Sequence, residues 1–315
     1  MQRDIRSVAI TGPTGAIGLA LIDCCTDAGI DVTAICHRGS ARKERIPDTG
    51  GVKIVEADLS EFADAAELAY NFGECDAFFH FAWNATIGDG RNDMKLQTSN
   101  IEYALDAVGL ASAMGAKVFI GAGSQAEYGR VSGKLTATTP AFPENGYGMA
   151  KLCAGQMTRT MAHQMNMEHI WPRILSVYGP GDGSRTMISS VIRTLFEGNL
   201  PKLTAGEQQW DYLFSKDAAR AMLLMAEKGI DGKVYCLGSG EARPLREYVE
   251  VLRDGINPEL ELGFGEVPYG PGQVMHLQAD ITELSQDTGF SPEYSFQDGI
   301  CETIEWMKKE QEKSR

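Results

Sequence analysis

No stretch of the chain approaches the ~18 to 20 consecutive apolar residues that a membrane-spanning helix needs, and no internal repeat or low-complexity linker is visible. Cysteine is present but unpatterned: seven residues, none at CxxC spacing, two of them (Cys24 and Cys25) adjacent. That argues against a disulfide framework or a zinc site and fits the reduced, mostly buried thiols of a cytosolic protein. Positive charge is scarce, with 29 Lys and Arg against 43 Asp and Glu and a formal net charge of −14. Such acidity disfavours nucleic-acid phosphates and anionic membranes as partners. The opening residues, Met1-Gln2-Arg3-Asp4-Ile5-Arg6, lack the apolar core of a signal peptide, so a cytoplasmic location is expected. What remains is an ordinary globular composition, 43% hydrophobic and 23% charged over 315 residues, enough for one large domain or two modest ones.

The first half alternates β-rich runs with helical stretches. Ser7–Ile10, Val32–Cys36, Lys53–Glu56, Ala77–Phe81 and Lys117–Ile120 read as strands; Ile17–Ala28, Ala63–Phe72 and Ile101–Met114 carry apolar residues at helical spacing. A helix is expected over Tyr147–Met165, a strand over His169–Ser176, a helix over Met187–Phe196 and a returning strand over Lys233–Leu237. Strands alternating with helices predict an α/β fold, a doubly wound parallel sheet covered on both faces. The tail after Gly238, broken by Pro268-Tyr269-Gly270-Pro271-Gly272, predicts short helices in a smaller lobe. The expected boundaries are a dinucleotide-binding domain over 1–175, with 206–238 returning to it, and a substrate lobe made of 176–205 and 239–315.

Thr11-Gly12-Pro13-Thr14-Gly15-Ala16-Ile17-Gly18 follows the first strand, with glycines at three-residue spacing where strand gives way to helix. Gly12 permits a tight turn, Gly15 lets backbone approach a pyrophosphate, and Gly18 lets helix and strand pack closely. The helix start then offers unpaired N–H groups to the phosphates. Further on, Tyr147-Gly148-Met149-Ala150-Lys151 is a YxxxK, which puts a phenol and an ammonium on one helical face. A neighbouring ammonium would stabilise the phenolate and bring an acid that titrates near ~10 toward neutral pH.

The glycine spacing resembles the short-chain dehydrogenase/reductase superfamily, and the length resembles its extended branch, the NAD-dependent epimerase/dehydratase family. Gly121-Ala122-Gly123-Ser124-Gln125-Ala126-Glu127-Tyr128-Gly129 looks like that family's SSxxxYG segment. The resemblance implies that Ser124 hydrogen-bonds the substrate oxygen, that Tyr147 exchanges the proton, and that Lys151 holds the nicotinamide ribose. It also implies that Asn100 supports the lysine through a water or carbonyl; a helix N-cap is an equally good reading of that residue. The cofactor contacts it implies are Gly12, Thr14, Gly15, Ala16, Ile17, Gly18, Asp58, Leu59, Phe81 and Ala82, with Tyr147 and Lys151. Similar segments run through His80-Phe81-Ala82, Val177-Tyr178-Gly179-Pro180-Gly181 and Trp210-Asp211-Tyr212.

An NAD site usually has an acid at the end of the second strand. Here Ile35-Cys36-His37-Arg38-Gly39-Ser40 has none, and Arg38, Arg42, Lys43 and Arg45 follow in an otherwise acidic chain. A guanidinium offers a 2′-phosphate paired, charge-assisted hydrogen bonds, so NADP(H) is favoured over NAD(H), with His37, Arg38 and Ser40 as contacts and Arg38 and Ser40 foremost. A solvated basic turn is the alternative.

Family 4,6-dehydratases carry an Asp-Glu pair after the serine position; this chain has Gln125-Ala126, which cannot eliminate water. The expected reaction is therefore NADPH-dependent reduction of a keto group, at C4 of a nucleotide-linked 4-keto-6-deoxysugar. The alternatives are an NAD-dependent nucleotide-sugar 4-epimerase, a reductase of a smaller carbonyl compound, and a non-catalytic dinucleotide sensor. Candidate substrate contacts are Trp83, Gln125, Ser176, Arg185 and Trp210. Trp210 and Ser176 stand where the family has an Arg that meets the diphosphate and an Asn, and Arg185 or Arg193 could replace that charge. By the same resemblance, Ile101–Met114 and Gly148–Met165 are candidates for a homodimer's four-helix bundle; their apolar stripes read equally as core.

Overall fold

A computed structural model describes residues 2–313. Seven strands form one parallel sheet: β1 (Ser7–Thr11), β2 (Asp31–Cys36), β3 (Val52–Glu56), β4 (Ala77–His80), β5 (Val118–Gly121), β6 (Glu168–Ile174) and β7 (Val234–Leu237). Their spatial order is β7-β6-β5-β4-β1-β2-β3, and the two-residue strand Gly123–Ser124 also pairs with β6. The order reverses at β1, the switch point beyond whose carboxyl end open sheets bind ligands.

Alternation along the strands fills both faces. Val8, Ile10 and Phe79 enter one core with Leu21, Ile22 and Cys25 of α1 (Ala16–Asp27). Ala9, Phe78 and Phe119 enter the opposite core with Leu68 of α2 (Ala65–Phe72) and Val108 and Leu110 of α3 (Met94–Ala113). Two buried faces explain the near-continuous apolar runs of these strands. On the second face, His80, Phe119, His169 and Trp171 stack in a column across the sheet with centroids 6.1, 5.9 and 5.8 Å apart. Burial holds the imidazoles of His80 and His169 neutral, each pushed down to about 3.

The helix α4 (Gly146–Gln164) packs beside α3, and α5 (Met187–Phe196) opens the second half of the chain. The return to the sheet begins later than the expected residue 206. Gln209–Trp210 pairs with Arg243–Pro244, and Tyr212–Phe214 pairs with Ser176–Tyr178. From Ser215 on, α6 (Ser215–Lys228) lies against α1. A separate core joins Tyr178, Ile192, Phe214, Leu252 and Ile304 among α5, α7 (Leu245–Ile256) and α9 (Phe296–Lys313), whereas the short α8 (Thr282–Thr288) puts Leu284 into the first core, against α6. At 18 residues, α9 is longer than the short helices expected of the tail. All seven cysteines are free thiols, four of them buried, and no described helix is long and apolar enough to cross a membrane.

The largest correction concerns α3. It starts at Met94, not Ile101, and its N-cap is Asp93, whose carboxylate accepts from Lys95 and Leu96 N–H. Asn100 is therefore interior to the helix. Replacing Asp93 by Ala should cost about 1 kcal/mol, the usual worth of such a cap, seen as a lower urea midpoint at unchanged m-value; a midpoint equal to wild type would mean the first turn holds without it.

Candidate active site

The glycine loop is shaped by contacts rather than by freedom alone. Gly12 adopts φ +68°, and a Cβ there would lie 2.9 Å from Ala82 N; a Cβ on Gly18 would lie 2.5 Å from Gly12 O. Thr11 Oγ1 bonds His80 Nδ1 at 3.0 Å and accepts from the N–H groups of Phe81 and Ala82, so the ends of β1 and β4 are tied together.

A cleft of about 540 Å³ runs over this loop, lined by Gly12, Thr14, His37, Ser40, Arg42, Asp58, Leu59, Ala82 and Trp83 among others. A second pocket of about 210 Å³ is lined by Ile17, Phe81, Trp83, Ser124, Tyr147 and Lys151. Trp83 borders both. The glycine cradle, the free start of α1 and two neighbouring pockets bordered by the same tryptophan fit an extended dinucleotide. Of the expected contacts, Gly15, Ala16, Gly18 and Arg38 do not line these pockets.

Arg38 is a correction. Its guanidinium is clamped on Glu61 by Nε and Nη2 at 2.8 and 2.6 Å, which pulls the Glu61 carboxyl down to about 2. Asp58 accepts from the Arg38 backbone N–H. Lys43 pairs with Glu56, and Arg45 pairs with Glu310 and lies over Trp306. Among the described residues Arg42 alone of this cluster has no ion-pair partner, and it lines the cleft beside Ser40. A four-residue basic run announced a cation there but not which one the acids would leave free.

The second pocket gathers Ser124, Tyr147 and Lys151. Gly148 would clash with Ala126 O if it carried a Cβ (2.3 Å), so the first turn of α4 rides directly on the turn after Ser124. The Asn145 side chain caps that turn by accepting from Gly148 N–H at 2.9 Å. Gly121, Gly123 and Gly155 all give way to the Trp171 indole, with Cβ clearances of 2.2, 2.5 and 2.7 Å. The glycines of the Gly-Ala-Gly run thus make room for a ring under the site.

Lys151 is 3% exposed. Its Nζ donates to Ala122 O at 2.7 Å and sits 3.7 Å from the Trp83 ring centre. Trp83 is held in turn by an Nε1 bond to Gln97 Oε1. Burial lowers Lys151 to about 7, against the opposing charge of Glu127. Of the two cations over the Tyr147 ring, this lysine is the farther from its centre. Arg91 lies 4.4 Å from the Tyr147 ring centre, Lys151 5.9 Å. Burial raises Tyr147, the Ser124 hydroxyl and Arg91 lower it, and Glu127 raises it. Arg91 went unnoticed in the sequence because nothing local marks a residue 56 positions upstream of its partner.

Asn100 is buried within α3. Its side chain exchanges hydrogen bonds with the Asn84 backbone, Oδ1 accepting from N at 3.0 Å and Nδ2 donating to O at 2.9 Å. It fixes the strand exit that carries Trp83 and makes no direct bond to Lys151. Trp210 Nε1 donates to Ser176 Oγ at 2.9 Å, so those two are brought together. Arg185 is exposed near Gly88. Arg193 lines a different cavity, of about 320 Å³, with Arg42 and Trp306. Gln125 sits in the turn after Ser124 and lines neither pocket.

Residues 8–238 match the family model described as "NAD dependent epimerase/dehydratase family". A dTDP-glucose 4,6-dehydratase of Xanthomonas campestris is 27% identical over 186 residues, 56% of this chain and 52% of that protein. The chain thus spans about half the length of the curated relatives it matches. A UDP-N-acetylglucosamine 4-epimerase of Methanobrevibacter ruminantium, solved with UDP-N-acetylmuramic acid, superposes with TM-score 0.87 at 23% identity over 98% of this chain and 100% of that one. A UDP-glucuronic acid 4-epimerase of Bacillus cereus, solved with NAD, gives TM-score 0.83 at 18% identity over 96% and 99%.

Proposed function

The chain belongs to the NAD-dependent epimerase/dehydratase family, and we propose that within it the protein is an NADPH-dependent ketoreductase of a nucleotide-linked 4-keto-6-deoxysugar. The observation that carries this reading is the meeting of Ser124, Tyr147 and Lys151 in one pocket that shares Trp83 as a lining residue with the glycine-loop cleft. When bound, the nicotinamide supplies the hydride that reduces the carbonyl carbon. Ser124 donates a hydrogen bond to the carbonyl oxygen, and Tyr147 gives that oxygen its proton. Arg91, over the phenol ring, stabilises the tyrosinate left behind. Lys151 holds the ribose hydroxyls.

Three further features support net reduction. No acid follows the serine: Gln125 and Ala126 occupy those places, and Glu127, next in line, is fully buried in an ion pair with Arg173. No acid closes β2, where Cys36 and His37 stand. Arg42 and Ser40 border the cleft and offer a 2′-phosphate a free guanidinium and a hydroxyl. For the substrate's own phosphates, exposed Arg185 and the half-buried Arg91 flank the 85–91 loop. The 4-epimerase reading rests on the solved neighbours, several of which hold NAD. We place the enzyme in the cytoplasm, as a homodimer through α3 and α4, where Met149 and Met157 are exposed.

Replacing Tyr147 by Phe should lower turnover at least ~10²-fold, the lower range for a positioned acid, and remove the fall in reductive rate that comes as Tyr147 deprotonates at high pH. Nearly full rate in that variant would mean another group supplies the proton. Replacing Arg42 by Ala should weaken NADPH binding about tenfold and leave NADH alone, as loss of one charge-assisted contact predicts, whereas Arg38→Ala should change neither much. Fluorescence titration with both dinucleotides reads this directly, and equal losses for NADPH and NADH would retire the phosphate contact.

A further inference from the structure

The cavity of about 320 Å³ that holds Arg193 lies between the turn after β2, the 179–184 loop, α5 and α9. It shares no lining residue with the pocket of Ser124, Tyr147 and Lys151, and only Arg42 with the glycine-loop cleft. Its wall rests on the glycine loop. Gly181, at φ +82°, is so close to α1 that a Cβ would lie 2.6 Å from Leu19 Cδ1 and 3.6 Å from Ala16 N. The volume is that of a small-ligand site, roughly 300–1,000 Å³.

The charges around it are unevenly engaged. Its acids all have partners within the protein. Glu310 pairs with Arg45 at 3.3 Å, and Glu197 accepts from Asn199 Nδ2 at 3.1 Å. Asp182 accepts from the Thr186 hydroxyl and from Gly183 N–H, each at 2.7 Å, and burial pushes its carboxyl up to about 6. The guanidinium groups of Arg42 and Arg193, by contrast, have no ion-pair or hydrogen-bond partner among the described residues. Nor does the hydroxyl of Ser189, a residue 3% exposed that lines the same cavity. Two unpaired guanidinium groups from different walls suit the oxygens of a phosphate.

Trp306 adds a flat ring. The other three tryptophans pack into cores and spend their N–H groups inside the protein, Trp83 on Gln97, Trp171 on Glu127 and Trp210 on Ser176. Trp306 enters none of those cores, and its N–H has no hydrogen-bond partner among the described residues. Arg45 lies 5.2 Å from its ring centre, and the indole borders the cavity. An aromatic of this size is ordinarily buried or bonded, and one that is neither offers a ligand a stacking surface. We propose that this cavity is a second binding site, for a phosphate ester that carries a flat ring, with the phosphate on Arg193 and Arg42 and the ring against Trp306. Because Arg42 borders the cleft as well, a ligand here competes with the 2′-phosphate of NADPH for one guanidinium. That consequence alone rests on the role given to Arg42 above.

The test uses the full chain labelled with ¹⁵N-tryptophan, whose four indole N–H signals report on four places, with Trp306 identified by its absence in Trp306→Phe. Phenyl phosphate is the probe. It should shift Trp306 saturably, one molecule per chain, and leave Trp83, which borders both the cleft and the catalytic pocket, unmoved. In Arg193→Ala its dissociation constant should rise about tenfold, as loss of one charge-assisted contact predicts, and inorganic phosphate should bind the wild type at least about tenfold more weakly. An unmoved Trp306, a shift shared with Trp83, or an affinity unchanged in Arg193→Ala overturns the proposal. Equal affinities for phosphate and phenyl phosphate overturn the ligand class. Saturating NADPH should weaken the probe and NADH should not; loss of that difference with the Trp306 titration intact would remove the 2′-phosphate contact of Arg42 and leave the second site standing.

Discussion

The site is organised around an ammonium kept almost wholly out of water. Lys151 has one carbonyl, one indole face and the field of one carboxylate to offset the loss of its hydration, and an uncompensated buried charge would cost several kcal/mol. Each of those partners is fixed in turn. The carbonyl belongs to the exit of β5, Gln97 and Asn100 of α3 hold Trp83 and its neighbour Asn84, and Arg173 pins Glu127. Two polar residues buried in the first turns of α3 therefore do for the site what apolar residues do for the rest of the helix.

The packing of the sheet reaches the same point from the other side. The ring column His80–Phe119–His169–Trp171 ends under Gly121 and Gly123, and only glycine leaves room for the indole there. His80 also bonds Thr11, which aligns the exits of β1 and β4 where the dinucleotide cleft begins. The glycine loop and the Ser124 turn are thus two edges of one rigid surface. That rigidity is what a hydride transfer requires of its donors, since misplacement by about 1 Å can cost ~10²-fold in rate.

The parallel sheet was legible because its strands are apolar on both faces, and β1 to β5 lie within a residue of their expected positions at each end. The missed start of α3 has a physical cause. From Lys95 to Asn100 the sequence is mostly polar, and the buried side of those turns is Gln97 and Asn100, which carry no hydrophobic period. A return over 206–238 was expected, but the helix α6 within it was not singled out, and α9 lies among charges that mask its Ile300–Ile304 stripe. Spacing alone put Tyr147 and Lys151 on one face, but the pairings of Arg38 with Glu61, Glu127 with Arg173, and Arg91 with Tyr147 join residues 23, 46 and 56 apart. Such partners are settled by topology, which no local pattern records.

If this surface performs net carbonyl reduction, label carried by the dinucleotide must end on the sugar. NADPH deuterated at the transferable C4 position, turned over with a nucleotide-linked 4-keto-6-deoxysugar, should give a product one mass unit heavier, with the deuterium at the former carbonyl carbon and one equivalent of NADP⁺ formed. Interconversion of nucleotide sugars with no label gained and no dinucleotide consumed would contradict the account and leave the epimerase in its place.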